Sequence, residues 1–406
     1  MSEKRETILR LLQDETGRIT DVKIEQQPVP EPKPLTVIEL KPETMQTFLR
    51  NLVEGSVVDW GDGTKSTVTA AEAEAKEVRH TYATTSTANR IVTIDGVIDR
   101  TGDSDDSPFD TMALTVVRSL GKLSGDVNHL FSFCGSLTAI SAGLFDHCTA
   151  VTDFSYCFSA CSSLTAIPAG LFDHCTAVTN FSCCFNNCDS LTAIPGGLFD
   201  NCPAVTDFST CFSGCDGLTT IPEGLFDNCP AVTNFSNCFS DCISLTAIPE
   251  GLFDHCTAVT NFNSCFSYCS SLTAIPVGLF DHCTVVTNFG SCFYDCSSLT
   301  AIPEGLFDHC TAVTDLYFCF YKCSSLTAIP VGLFDHCTVV TNFFKCFYKC
   351  SSLTGETPYT IVDGKKVKLW ERSPENGFVK ISSDSKCFIG CTGLSDYAEI
   401  PYGWKQ

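Results

Sequence analysis

Positive charge is scarce in this chain. It carries 25 Lys and Arg against 47 Asp and Glu over 406 residues, a formal net charge of -22. Phosphate binding needs clustered Lys and Arg, so neither nucleic acid nor an anionic membrane surface fits as a partner. Long apolar runs are also missing. Nothing approaches the ~18 residues that would span a bilayer, which excludes membrane insertion by a helix. The opening segment MSEKRETILRLLQDETG has neither the apolar core of a signal peptide nor a cysteine placed for lipidation, so export by the usual route is not expected. Cysteine is absent before Cys134 and after Cys391. All 28 cysteines lie between them, which is not the distribution of a disulfide framework scattered through a short secreted chain.

Nearly all of those cysteines obey a period of 27 residues. Cys161, Cys188, Cys215, Cys242, Cys269, Cys296, Cys323 and Cys350 form one column, Cys157 through Cys346 a second, and Cys148, Cys175, Cys202, Cys229, Cys256, Cys283, Cys310 and Cys337 a third. Each unit contains a half-repeat. Phe158, Cys161, Leu164 and Ile167 are spaced by three, and Phe172, Cys175, Val178 and Phe181 repeat that spacing fourteen residues on. Both halves imply a Phe-x-x-Cys helical or 3₁₀ turn leading into a short strand, LTAIP or VTNFS. No such unit can bury its apolar side alone, so stacking must close the core. Pro168 and its equivalents end a strand, and Gly170 and its equivalents permit the next turn. The expected fold is therefore a β-rich repeat solenoid over residues 134–353, closed by a linker and N-terminal cap at 101–133 and a C-terminal cap at 354–406. Leu130 stands in the Cys157 column, and GETPYTIVDGKKVKLWERSPENGF reads as a β-hairpin.

The units VTDFSYCFSACSSLT and VTNFSCCFNNCDSLT resemble BspA-like leucine-rich repeats, over roughly residues 130 to 353. The resemblance implies a recognition or adhesion protein of a bacterium or its phage, with no shared catalytic residues. Upstream, Trp60-Gly61-Asp62-Gly63-Thr64 followed by His80-Thr81-Tyr82 is similar to the motif pair of PKD-type domains. That likeness implies a small spacer β-sandwich over residues 35–100, with Asp62-Gly63 in a tight hairpin turn. AAEAEAKEV departs from the PKD pattern. Residues 1–34 form an N-terminal arm: a short amphipathic helix through Ile8, Leu9, Leu11 and Leu12, stopped at Gly17, then an extended linker through Pro28, Pro30, Pro32 and Pro34.

The Cys157 column accepts Leu, so free core thiols are favoured over disulfides and over zinc. Asp173-His174-Cys175 recurs six times, with His replaced at Asn201 and Asn228, and reads as repeated surface and not as a nucleophile. The Asp column from Asp146 to Asp335 suits a solvated row or a turn cap, with calcium as the competing reading. Asp103, Asp105 and Asp106 suit a charged hinge. No catalytic set, cofactor or metal is implied.

Columns that vary between repeats mark the outer surface. Around the Cys-Phe-x-x-Cys turn, Tyr156, Ser159 and Ala160 become Asn237, Ser240 and Asp241, then Ser264, Ser267 and Tyr268. Towards the C-terminus they become Ser291, Tyr294 and Asp295, then Phe318, Tyr321 and Lys322, and finally Lys345, Tyr348 and Lys349. Stacked at about 4.8 Å per coil, Tyr294, Phe318, Tyr321, Lys322, Lys345, Tyr348 and Lys349 would form a binding edge; neutral drift after duplication is the competing reading. The expected partner is a host surface protein or glycan, with residues 1–34 docking on a particle or surface. A homo-oligomer is compatible with the pattern. Virion surface is the expected location, as a phage fibre or receptor-binding protein; the alternative is a bacterial surface adhesin.

Overall fold

The computed structural model describes residues 5–13, 19–28, 35–101, 107–382 and 384–406. Its first two strands are β1 (Arg5–Gln13) and β2 (Ile19–Pro28), paired antiparallel with Leu9 opposite Ile24. The helix expected over the first sixteen residues is therefore overturned. An isolated helix of that length is marginal in water, whereas the partner run Ile19-Thr20-Asp21-Val22-Lys23-Ile24 is rich in β-branched residues that favour a ladder. Gly17, Pro30, Pro32, Pro34 and the Asp103 to Asp106 hinge lie outside the described residues.

Strands β3 (Thr36–Leu40), β4 (Gln46–Arg50), β5 (Val57–Asp59) and β6 (Lys65–Thr67) follow, then helix α1 (Ala70–Ala75) and strands β7 (Glu77–Thr81), β8 (Arg90–Asp95), β9 (Val97–Arg100), β10 (Leu114–Ser119), β11 (Lys122–Gly125) and β12 (Ala139–Ile140). Six of them form one sheet in the order β12-β10-β3-β8-β5-β6, and β4 with β7 and β9 with β11 form two small ones. The stretch AAEAEAKEV makes α1, started by a capping box between Thr69 and Glu72 and stopped by Lys76 at a φ of 55°. The β5–β6 hairpin closes over the five residues Trp60 to Thr64, with Asp59 opposite Lys65, so the tight Asp62-Gly63 turn is corrected to a longer loop. The main sheet also runs past residue 100. β10 pairs antiparallel with β3 and parallel with β12, the first strand within the repeats, so one ladder joins the two parts of the chain.

From there a 27-residue register takes over. Within each Phe-turn, alternate amides donate along the stack: Phe154, Tyr156, Phe158 and Ala160 give to the carbonyls of Asn180, Ser182, Cys184 and Asn186 at 2.7 to 3.0 Å. The intervening amides close local turns, as Cys157 does on Phe154 at 3.1 Å and Cys161 on Phe158 at 3.2 Å. Alternation of this kind requires left-handed backbone at two positions per coil, and Tyr156 and Ala160 have φ of 56° and 58°. The expected helical or 3₁₀ turn is thus replaced by a turn whose amides point out of the segment. The strands LTAIP and VTNFS shrink to single bridges in register, for example Asp153 to Asn180 to Asp207 and Ala193 to Thr220 to Ala247.

Other rungs point the opposite way. Thr179 donates both its amide (2.9 Å) and its hydroxyl (3.3 Å) to the Thr152 carbonyl of the preceding coil. The same pair of bonds recurs from Thr206 through Thr341. At the first coil the Asp126 carboxylate takes the place of a preceding carbonyl, accepting from the amides of Thr152 and Asp153. The Asp and Asn column that forms one row of bridges also fixes the backbone by accepting, through its side chains, from the amide two residues on, as Asn261 does from Asn263 at 3.0 Å.

The core consists of three phenylalanine columns. Phe158, Phe185 and Phe212 stack face to face at 5.3 and 5.6 Å; Phe172, Phe199 and Phe226 at 6.0 and 6.1 Å; Phe181, Phe208 and Phe235 at 5.7 Å. Leu316 interrupts the third column. All 28 cysteines are free thiols, and only Cys148 and Cys183 are less than fully buried. Their use is not purely apolar: Cys188 Sγ donates to the Phe158 carbonyl at 3.3 Å, and the same bond recurs at each coil.

Both ends are closed by groups that replace a missing neighbour. Phe109 stacks on Phe131 at 5.3 Å at one end. At the other, the segment expected as a hairpin forms one from β13 (Tyr359–Val362) and β14 (Lys365–Lys368), turning at Asp363 and Gly364, whose φ are 48° and 76°. Just beyond it, buried Arg372 donates to the carbonyls of Phe334 (2.7 Å) and Cys337 (3.1 Å). In earlier coils carbonyls of these two columns face a thiol of the next coil instead. Desolvation lowers the Arg372 pKa to about 10. Lys368 and Asp396 form a buried pair at 2.6 Å, with Asp396 also accepting from the Thr357 amide. Helix α2 (Tyr402–Lys405) ends the Phe-turn ladder, its Gly403 and Trp404 carbonyls accepting from Lys386 and Phe388 at 2.8 Å.

Candidate recognition edge

The Phe-turn sends Cys and Phe inward, which leaves three of its positions facing out, two of them left-handed. Phe318, Lys322, Lys345 and Lys349 have φ between 53° and 57°. Because the same conformation recurs in every coil, it belongs to the fold and marks no function by itself.

What the outward residues do is specific to the last coils. Tyr294, Tyr321 and Tyr348 stack nearly parallel, at centroid distances of 4.5 and 4.8 Å, and Tyr268 leans on Tyr294 at 5.0 Å. Phe318 packs edge-on against Tyr321 at 5.2 Å. Lys345 Nζ lies 5.6 Å from the Phe318 ring centre and 5.1 Å from that of Tyr348. Lys349 and Lys322 sit over Tyr348 and Tyr321 at 5.4 and 5.5 Å. All seven residues singled out in the sequence therefore come together on one edge. Burial, with hydrogen bonding to Tyr268 and Tyr321, pushes the Tyr294 phenol up. Lys322 approaches Asp295 at 3.8 Å; among the described residues neither Lys345 nor Lys349 is ion-paired.

Two members were not read from the sequence. Phe344 meets Phe318 at 5.5 Å and Lys345 Nζ at 5.2 Å. Tyr317 meets Phe318 at 5.6 Å and lies across Gly290 to accept a hydrogen bond from Asn263 at 2.7 Å, two coils away. A Cβ on Gly290 would come within 2.0 Å of the Tyr317 ring, so that glycine makes the space. The available signal was the column Ser236, Asn263, Gly290, Tyr317, Phe344, which drifts like its neighbours.

The Asp-His-Cys triplets divide between surface and core. His255 is exposed and Cys256 buried, so the two point apart. Burial pushes the thiols of this column up, Cys229 to about 12, far from a reactive thiolate at neutral pH. The Asp carboxylates lie over the glycine turns, Asp173 against Gly170. Among the described residues no three His, Cys, Asp or Glu side chains converge as metal ligands, and no helix is long and apolar enough to cross a membrane.

In the N-terminal sheet, the two motifs meet. His80 stacks on Trp60 at 4.7 Å and its Nε2 lies 2.9 Å from Asp62 Oδ2, while the Tyr82 hydroxyl donates to the Trp60 carbonyl at 3.2 Å. Burial raises the Asp62 carboxyl, but hydrogen bonds from Thr64 and His80 outweigh it and hold the pKa at about 2.

Over residues 206–329 and 233–360 the chain matches a family described as "Mycoplasma protein of unknown function, DUF285". Among solved structures it is similar to a leucine-rich repeat protein from Bacteroides ovatus, at 15% identity and a TM-score of 0.25 over 100% of this chain and 98% of that one. A leucine rich cell surface protein from Faecalibacterium prausnitzii matches at 19% identity and a TM-score of 0.17, over 61% of this chain and 83% of that one. The TLR13–ssRNA13 complex matches at 14% identity and a TM-score of 0.16, over 61% of this chain and 44% of that one. No curated protein matches the chain. At such TM-scores the superpositions decide nothing, and the repeat fold stands on the 27-residue register itself. No catalytic family is indicated.

Proposed function

We propose that this chain is a non-enzymatic recognition protein: a leucine-rich-type solenoid, carried on a PKD-like β-sandwich and an N-terminal arm, that presents its aromatic and lysine edge to a host surface. The edge is the observation that carries this reading. Aromatic side chains gathered on one outer patch, with polar tips and little entropy to lose, have the composition of a protein contact surface. The Trp60, Asp62, His80 and Tyr82 cluster supports the PKD-like assignment for the domain beneath.

The mounting proposed is a phage virion, with residues 1–34 docked on the particle. Free thiols throughout the repeats suit assembly in a reducing cytoplasm. Two measurements test the reading. Mass spectrometry should find the chain in purified virions and not in washed cell envelopes; the reverse result refutes the phage mounting in favour of a bacterial adhesin. A chain carrying Tyr294→Ala, Tyr321→Ala and Tyr348→Ala together should keep its fold and lose binding to host cells, and unchanged binding would show that the edge is surface drift.

A further inference from the structure

Residues 134–353 contain eighteen Asp and Glu but only three Lys, Lys322, Lys345 and Lys349, and no Arg. All three belong to the aromatic edge. In a body this acidic, three cations on adjacent coils form a local reversal of sign, and a reversal of sign selects an anionic partner. Among the described residues, two of the three, Lys345 and Lys349, form no ion pair. Lys345 is also held in place, its ammonium against the rings of Phe318, Phe344 and Tyr348 at 5.1 to 5.6 Å.

The rest of the edge narrows the partner's class. An extended peptide usually gains affinity from an open row of backbone amides, but here the row is closed. The amides of Phe318, Phe320, Lys322, Phe347 and Lys349 all donate to the next turn at 2.6 to 3.0 Å. Nor are the tyrosine faces free, since Tyr321 is stacked on both sides by Tyr294 and Tyr348. What remains is a row of ring edges and phenol hydroxyls repeating once per coil, 4.5 to 4.8 Å apart, flanked by the caged ammonium of Lys345 and the exposed one of Lys349. An extended peptide presents side chains to one face only every second residue, about 6.6 Å apart, and does not match that spacing. A hydroxyl-rich chain bearing regular carboxylates does match its chemistry, with phenols as donors and acceptors and ammonium groups as counter-charges.

We propose that this edge binds an acidic polysaccharide of the uronic type, its carboxylates at Lys345 and Lys349 and its hydroxyls along Tyr294, Tyr321 and Tyr348. The proposal deepens the recognition reading above and rests on it. The full chain is assayed for binding to polygalacturonic acid, to neutral dextran of matched length, to polyglutamate and to phosphatidylserine vesicles. Polygalacturonic acid alone should be retained, less tightly as salt rises. Lys345→Gln and Lys349→Gln should each weaken it about fivefold, the magnitude of an exposed ion pair. Lys349 is exposed, so its variant reads binding even if the caged Lys345 contributes to folding. Retention of dextran, polyglutamate or vesicles equal to that of polygalacturonic acid overturns the proposal, as does unchanged binding by both lysine variants. If the triple tyrosine variant loses host cells while no chain retains polygalacturonic acid, the polysaccharide is wrong and the recognition edge stands.

Discussion

Phe320 and Tyr321 are neighbours in one turn, and truncating each to alanine separates packing from display. Phe320 is fully buried, stacked between Phe293 at 5.6 Å and Phe347 at 5.4 Å, with Phe307 at 6.4 Å. Its removal opens a cavity that neighbours in fixed register cannot fill, so Phe320→Ala should cost about 3 to 5 kcal/mol. Tyr321 is half-exposed, but it is not idle, because it contacts Tyr294, Tyr348 and Phe318 at 4.5, 4.8 and 5.2 Å. Surface ring pairs lie at the low end of about 0.5 to 1.5 kcal/mol each, so Tyr321→Ala should cost about 1 to 2 kcal/mol. Binding to host cells should reverse the ranking of the side chains: Tyr321→Ala should lose a further 1 to 2 kcal/mol, roughly the size of an interface anchor. Urea unfolding followed by far-ultraviolet circular dichroism reads the stability terms, provided the slope is unchanged between variants. Repeat arrays can unfold in segments, so a changed slope would itself report fraying from the C-terminal coils. Equal stability losses for the two variants would refute the assignment of one ring to the core and the other to the edge.

Three other outcomes are expected. Alkylation of the native protein should reach Cys148 and Cys183 first and the other 26 thiols only on unfolding; a majority found as disulfides before reduction would contradict this. The Asp62 carboxyl has a folded pKa of about 2, below the ordinary carboxylate value of about 3.9. Its contribution is therefore complete above about pH 4 and lost as pH falls through 2, and Asp62→Asn should flatten that acid limb in a pH titration of N-terminal-domain unfolding. Arg372→Leu leaves the Phe334 and Cys337 carbonyls without their donors, at about 1 to 3 kcal/mol for each group stranded. Hydrogen exchange should then show lost protection confined to the last coils and the β13–β14 hairpin, and no local change would show that Arg372 does not close the stack.

The repeat was legible because its core admits so few residues: Phe, Cys and Leu columns recur wherever a neighbour must interdigitate. Turn conformation was not. Left-handed backbone is usually announced by glycine or asparagine, yet here it falls on Thr210, Ser264, Phe318 and Lys345 alike. It is imposed by the next coil's carbonyls and not by residue type. The N-terminal segment misled for a related reason. Ile8, Leu9, Leu11 and Leu12 fit a helical face when read alone, and the strand that pairs with them begins only at Ile19. β10 was assigned to a cap because its partners, β3 and β12, are distant in sequence in opposite directions. The edge residues were legible as varying columns beside fixed ones. Tyr317 and Phe344 escaped because their column is small and polar in most coils.

The bonds that recur from coil to coil keep constant offsets, chiefly amide to carbonyl 26 residues on or 27 back and thiol to carbonyl 30 back. Gain or loss of one whole unit therefore leaves each remaining rung intact. Such a change would carry the tyrosine and lysine edge one step farther from, or nearer to, the N-terminal sheet, by about the 5.3 to 5.6 Å that separates stacked rings. On the proposed recognition reading, reach and specificity would then be set by separate parts of the chain: the number of interior coils would fix how far the molecule extends, and the last few what it touches.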